Sequence, residues 1–223
     1  MSKNPLKLSF KTEFLPIFLV ALSFSLSLFF INNFPEQVAV HWNMAGEPDG
    51  FSNKYSAALM IPAITLGMYL LLTFLPIIDP KKDRYKEFSK FYNYFKSIII
   101  FFMIFIYVVS GFNNLGYSLP IEKITPIAVG SLFVLIGFYM KKIKMNWFMG
   151  VKNPWTLSSE KVWDQTHKFS GKIFVISGFL LALTAFVENK YKLPIFIVAL
   201  FLIIFSVTIY SYYIYVKELK GKK

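Results

Sequence analysis

The side chains able to do chemistry gather in two stretches of this sequence. In the first, residues 32–54, His41 is followed by Glu47 and Asp49, and an imidazole with two carboxylates suits a divalent cation such as zinc or manganese. Their spacing matches no established metal signature, so the three stand as metal candidates beside a plainer role, a hydrogen-bonded His41 holding the loop in shape. In the second stretch, residues 141–172, Asp164 and His167 stand three apart. On a helix that spacing lets a carboxylate orient a histidine acting as a base, with a surface ion pair as the plainer reading. Cysteine is absent from all 223 residues, which removes disulfides, Cys-ligated zinc and thiol catalysis. No catalytic residue and no cofactor are assigned, and an enzyme is the less favoured class.

The elements that position these stretches are lipid-facing. Hydrophobic residues make up 56% of the chain and charged ones only 16%, against about a quarter charged in soluble domains. Mean hydropathy is +0.53, with 26 phenylalanines, more apolar surface than a water-soluble globule of this size buries. A helix needs roughly 20 apolar residues to cross a hydrocarbon core of about 30 Å. Uncharged runs predict six spans, at residues 14–31, 55–78, 97–117, 124–140, 173–187 and 193–216. No strand-like alternation runs through them, so the fold class is all-α: one polytopic membrane domain, a bundle of six transmembrane helices.

Basic residues fix the expected orientation. Assigning alternate connections to the same side places 20 of the 24 Lys and Arg on one side and four on the other, the asymmetry of the positive-inside rule. Both termini are thus expected in the cytoplasm, the 32–54 loop outside and the 141–172 loop inside. Lysines spread over four short segments do not form a nucleic-acid face, so no direct nucleic-acid partner is expected. Lys3, Lys7 and Lys11 precede the first apolar run, but the sequence from Phe29 to Phe34 offers no small-residue cleavage site. The run therefore reads as a retained anchor. The uncharged runs carry no ionisable side chain, which argues against a pump or symporter.

Within the spans, Thr65, Ser110, Ser131, Ser177, Thr184 and Thr208 are expected to bond their own helices, and Gly130 and Gly137, seven apart, to pack closely against a neighbouring helix. In the outer loop, Val38 to Trp42 reads as extended and Gly46 to Gly50 as a turn. In the inner loop Pro154 ends any preceding helix, and Thr156 or Ser158 caps a new one with Glu160 in its first turn. Val162, Thr166, Phe169 and Ile173 then share a face, predicting a short interfacial helix that leads into the fifth span. Trp147, Trp155 and Trp163 are expected at the lipid headgroups, beside lysines attracted to anionic lipid.

Two motifs in order carry a family resemblance. The outer loop, with His41-Trp42-Asn43, Gly46, Pro48-Asp49 and Lys54, resembles a bacterial membrane domain at the amino end of SdpI-type proteins. The inner loop, with Asn146, Trp147, Gly150, Pro154-Trp155-Thr156-Leu157, Glu160, Trp163 and His167, resembles the signature of the same proteins. Lys152 and Asn153 stand where family members usually carry arginine and threonine, and lysine lacks arginine's bidentate geometry. The resemblance implies an immunity protein guarding its cell against a secreted peptide toxin of the sporulation-delay type. It implies a toxin-facing loop of His41, Trp42, Asn43, Gly46, Glu47, Pro48 and Asp49, and a cytoplasmic loop that, in the toxin-bound form, holds a transcriptional repressor at the membrane. The expected partners are therefore membrane lipid, the peptide toxin and that repressor, with oligomeric state unassigned. The competing classes are a membrane-embedded enzyme built on His41, Glu47 and Asp49, and a small permease or exporter.

Overall fold

The structure, a computed structural model, describes residues 5–6 and 8–221. Lys3, Lys7, Lys222 and Lys223, counted above among the basic residues of the termini, lie outside the described residues. Helix α1 (Phe10–Asn33) leads into strands β1 (Gln37–Trp42) and β2 (Pro48–Asn53), followed by α2 (Lys54–Ile78), α3 (Tyr85–Asn114) and α4 (Ile121–Met140). The short α5 (Pro154–Ser158) precedes α6 (Glu160–Leu183), and a last span joins α7 (Asn189–Phe201) to α8 (Val207–Lys220) through a π turn over Leu202–Ser206. Among the described residues six helical segments are long and apolar enough to cross a bilayer, and the chain is a multi-pass membrane protein with little sheet. Phe14, Phe74, Phe101, Phe138, Phe179 and Phe201 lie exposed on the bundle surface, as expected where lipid replaces water.

The helices alternate in direction. One end of the bundle gathers the β1–β2 hairpin with the α3–α4 and α6–α7 connections. The other, basic, end gathers the 141–159 loop, the α2–α3 connection, the start of α1 and the end of α8. Helices α1, α2 and α3 pack on one another, α4 and α6 form the closest pair, α7 and α8 lie against α6, and α3 meets α4.

Lipid gives helices no hydrophobic reason to associate, so close backbone approach and hydrogen bonds must hold them. Both are visible. Gly130 and Gly137 of α4 face Gly178 and Gly171 of α6: a Cβ on Gly137 would stand 2.7 Å from the Gly171 carbonyl oxygen, and one on Gly130 2.4 Å from that of Gly178. The glycine face expected on the fourth span is thus the seam with α6.

Prolines inside the helices supply the hydrogen bonds, because a proline leaves the carbonyl four residues earlier without its partner. Pro62 frees Ala58 O, which accepts from Ser27 Oγ (2.8 Å, from α1) and Tyr107 OH (2.7 Å, from α3). Pro76 frees Leu72 O, which accepts from Tyr92 OH of α3 at 2.6 Å. The two irregularities of α2 are where α1 and α3 attach. Similarly, Ser177 bonds not its own helix but Ala199 O, just before the π turn, at 3.2 Å. Thr65, Thr184 and Thr208 bond their own helices as expected.

Three expectations need correction. Glu13 and Lys96 adjoin the first and third uncharged runs but lie inside α1 and α3, where Lys96 Nζ donates to both carboxylate oxygens of Glu13 at 2.8 Å, with the Lys96 side chain fully buried. The interhelical interior is therefore not free of charge. The interfacial helix does not form as drawn: α5 is a single five-residue turn capped by Asn153, whereas α6, capped by Ser159, runs unbroken into the membrane. Nor do the three tryptophans share the interface. Trp147 is exposed, Trp155 packs on Tyr212 of α8, and Trp163 is fully buried, its Nε1–H donating to Ile143 O at 2.9 Å.

Candidate functional site

Alternating Val38, Val40 and Trp42 favour the strand that opens the hairpin, and Asn43 makes its turn. The Asn43 Oδ1 accepts from the backbone N–H groups of Ala45 (2.8 Å) and Glu47 (3.1 Å), and its Nδ2 donates to the Glu47 carboxylate at 3.0 Å. Gly46 lies at φ +83°, in the left-handed region that favours glycine. Strand β2 then starts at Pro48, so the tight reversal covers Asn43–Glu47 and Asp49 is already a strand residue. Across the strands His41 Nδ1 meets Asp49 Oδ1 at 2.5 Å. Gly50 makes room, since a Cβ there would stand 2.9 Å from the His41 Cβ.

Four anchors fasten this hairpin to the bundle. Val38 and Ala39 are buried, Val38 beside Phe30, Phe34 and Tyr107. Asn114 at the end of α3 lies along the free edge of β1: its Oδ1 accepts from Ala39 N–H at 2.8 Å and its Nδ2 donates to Ala39 O at 2.9 Å. Lys192 of α7 donates to Met44 O at 2.8 Å. Gly46 rests on Glu122 of α4, where a Cβ would come within 2.8 Å of Glu122 Oε2.

Beneath the hairpin is a pocket of about 470 Å³, within the size range of small-ligand sites. Its roof is Val40 to Met44, and its walls come from α3 (Ile106, Val109), α4 (Ile121, Glu122, Val129), α6 (Leu181) and α7 (Lys192, Phe196). Val129 lies eight residues into α4, so the pocket descends roughly 12 Å along that helix at 1.5 Å per residue. It is an apolar shaft with polar groups near its roof, among them His41, Asn43, Glu122 and Lys192.

Of the residues singled out in the outer loop, His41, Trp42 and Asn43 line this pocket, Gly46 seats the turn, and Glu47 bonds Asn43. Pro48 opens β2 opposite Trp42, and Asp49 holds His41. The candidate metal trio does not converge, because Glu47 is engaged elsewhere; among the described residues no three acidic, histidine or cysteine side chains are placed to hold a metal ion. Glu122 and Lys192 escaped the sequence reading. Their only signal was position at helix ends, where polar residues read as span boundaries.

The loop on the basic end folds into a compact knot. Asn146, fully buried, accepts from the N–H groups of Phe148 (2.9 Å) and Met149 (2.6 Å), and donates to Lys144 O and Met149 O. Asp79, also missed from sequence, ties this loop to α2 by accepting from Trp147 N–H (3.0 Å) and Tyr85 OH (2.9 Å). His167 stacks on Trp163 with ring centroids 4.0 Å apart, bonds Trp163 O through Nδ1 at 2.8 Å and accepts from Val151 N–H at Nε2 (3.1 Å). Those bonds select the neutral Nδ1–H tautomer. Gly150, at φ +108°, lets the chain pass the ring, as a Cβ would stand 2.4 Å from Nε2. Asp164 is exposed and forms no hydrogen bond with His167, so the base-and-orienter reading has no geometric support.

Asn153 and Thr156 cap α5 reciprocally, and Asn153 Nδ2 reaches Ser211 of α8 at 2.8 Å. Asparagine caps as well as threonine does, so Asn153 suits this helix start. Pro154 takes the first helical position and Leu157 packs on the cluster around Trp163. Glu160 pairs with Arg84. Lys152 is exposed and bonds Phe148 O.

Residues 142–213 match the SdpI/YfhL protein family, and residues 18–66 match a domain of unknown function, DUF1648. Immunity protein SdpI of Bacillus subtilis (strain 168) is 28% identical over 213 residues, covering 96% of this chain and all of that protein. No solved structure matches. The resemblance to SdpI-type proteins is borne out by the family match and by the whole-length relative.

Proposed function

We propose that this SdpI-like membrane protein protects a bacterial cell against a secreted peptide toxin, which it meets at the hairpin pocket. In this reading the hairpin end faces outward from the plasma membrane, and both termini and the 141–172 loop lie in the cytoplasm. The observation that carries it is the pocket itself: an apolar shaft roofed by the outer-loop motif, in a chain that aligns along its length with an immunity protein. The excess of lysine and arginine on the opposite end supports the orientation.

The reading extends to signalling. Helix α6 contributes Leu181 to the pocket wall and His167 to the basic-end knot, fourteen residues or roughly 21 Å apart on one rigid element. Helix α4 runs beside it from Glu122 in the pocket to Met140 in the cluster around Trp163. A ligand that shifts this glycine-packed pair would be felt at the exposed Trp147 and its neighbouring lysines, the surface offered to a cytoplasmic repressor. The test is survival of a toxin-sensitive strain expressing the chain, challenged with a panel of secreted bacterial peptides. Protection against at least one peptide is expected, lost with Asn114→Ala at equal membrane abundance; equal killing across the panel would refute the reading.

A further inference from the structure

Lys192 is placed unusually for a lysine near the end of a membrane helix. Such side chains normally extend toward water; Lys190, two residues earlier, is exposed and pairs with Glu188. Lys192 instead turns inward. It is only 6% exposed and lines the pocket, and among the described residues its one hydrogen bond goes to the neutral Met44 carbonyl. Among the described residues it pairs with no carboxylate, so two of its three N–H donors remain for a ligand. A buried ammonium without an anion is costly, and a negatively charged group entering the pocket would relieve that cost.

Glu122 narrows the chemistry. It lines the same pocket, is half-buried against Gly46, and among the described residues makes no hydrogen bond or ion pair. A ligand satisfying both groups carries an anion beside hydrogen-bond donors, with apolar parts for the shaft between Ile106, Val129 and Phe196. The last residues of a peptide chain present that combination: a terminal carboxylate, the N–H groups just before it, and side chains. A fatty acid offers the charge and the apolar tail but no donor for Glu122.

We propose that the hairpin pocket captures the free carboxy terminus of an apolar peptide, Lys192 holding the carboxylate and Glu122 accepting from the final backbone N–H groups. The proposal rests on the reading above for the ligand being a peptide. The test uses the full chain in nanodiscs and a dansyl-labelled Leu-Phe-Val-Leu peptide, as free acid and as carboxamide, with dodecanoate as competitor and empty nanodiscs as blank. The acid should bind at least tenfold more tightly than the amide. Lys192→Met should abolish that preference and Lys192→Arg should keep it, while Glu122→Gln weakens the acid peptide severalfold and leaves dodecanoate unchanged. Equal affinity for acid and amide, no saturable binding, or a preference surviving Lys192→Met would overturn the proposal. Displacement by dodecanoate at or below the peptide's own concentration would overturn it too, assigning the pocket to lipid anions. Cell protection without acid preference would sink this inference alone; acid preference without protection would sink the immunity reading and leave the carboxylate site standing.

Discussion

Replacing Asn114 with alanine removes three hydrogen bonds at once: two to the Ala39 backbone and one to Ser110 O. The loss to Ser110 matters little, since that carbonyl is within a helix. The other two leave the N–H and C=O of Ala39, a residue 6% exposed, without partners on the edge of β1 that faces the bundle. Stranding a buried backbone group costs about 1–3 kcal/mol, so the pair amounts to about 2–4 kcal/mol after partial access of water. The cost falls on docking of the hairpin rather than on the six-helix bundle, because the bonds lost join β1 to the end of α3, leaving the burial of Val38 and the turn contacts at Lys192 and Gly46 to hold the hairpin. At 1.4 kcal/mol per tenfold, hydrogen exchange at the amides of residues 38–42 should quicken roughly 30- to 700-fold. Exchange in the α4–α6 seam should not change. Unaltered hairpin protection would refute the role given to Asn114, and equal acceleration throughout the chain would show that the hairpin is no separate unit.

Three further outcomes follow from the packing. Tyr92→Phe should cost about 1 kcal/mol or more in thermal or denaturant unfolding by stranding Leu72 O; the loss should shrink in a Pro76→Ala background, where residue 76 regains an N–H for that carbonyl, and a double-mutant cycle measures the coupling. Gly137→Ala should destabilise by about 1–3 kcal/mol, because its Cβ meets the Gly171 carbonyl at 2.7 Å, whereas Gly67→Ala, with nothing within 4 Å, should be neutral or stabilising by up to about 1 kcal/mol. Lys96→Met should be strongly destabilising, by about 3–5 kcal/mol, since it strands the Glu13 carboxylate; adding Glu13→Gln should recover most of the folded yield.

Much of the architecture was legible because lipid imposes simple rules. The six spans, the glycine seam of α4 and the extended run into Trp42 came from hydropathy, small-residue spacing and strand propensity. What stayed hidden depends on pairing across the bundle. Glu13 and Lys96 read as flanking charges because their separation in sequence conceals that they meet, and Trp163 read as an interface anchor because its partner, the Ile143 carbonyl, is distant in sequence. The same holds at the pocket. His41 and Asp49 share a loop and were noticed, while Glu122 and Lys192 come from two other helices and look like ordinary end-of-span polar residues.

The absence of cysteine from the chain allows a direct test of the claim beneath the functional reading, that the pocket opens outward. Single cysteines placed at the exposed Glu47 of the hairpin and the exposed Asp164 of α6 would be treated with a membrane-impermeant maleimide in intact cells. The account predicts labelling of Glu47→Cys before permeabilisation and of Asp164→Cys only after it. The reverse pattern would put the pocket in the cytoplasm and contradict a receptor for a secreted peptide.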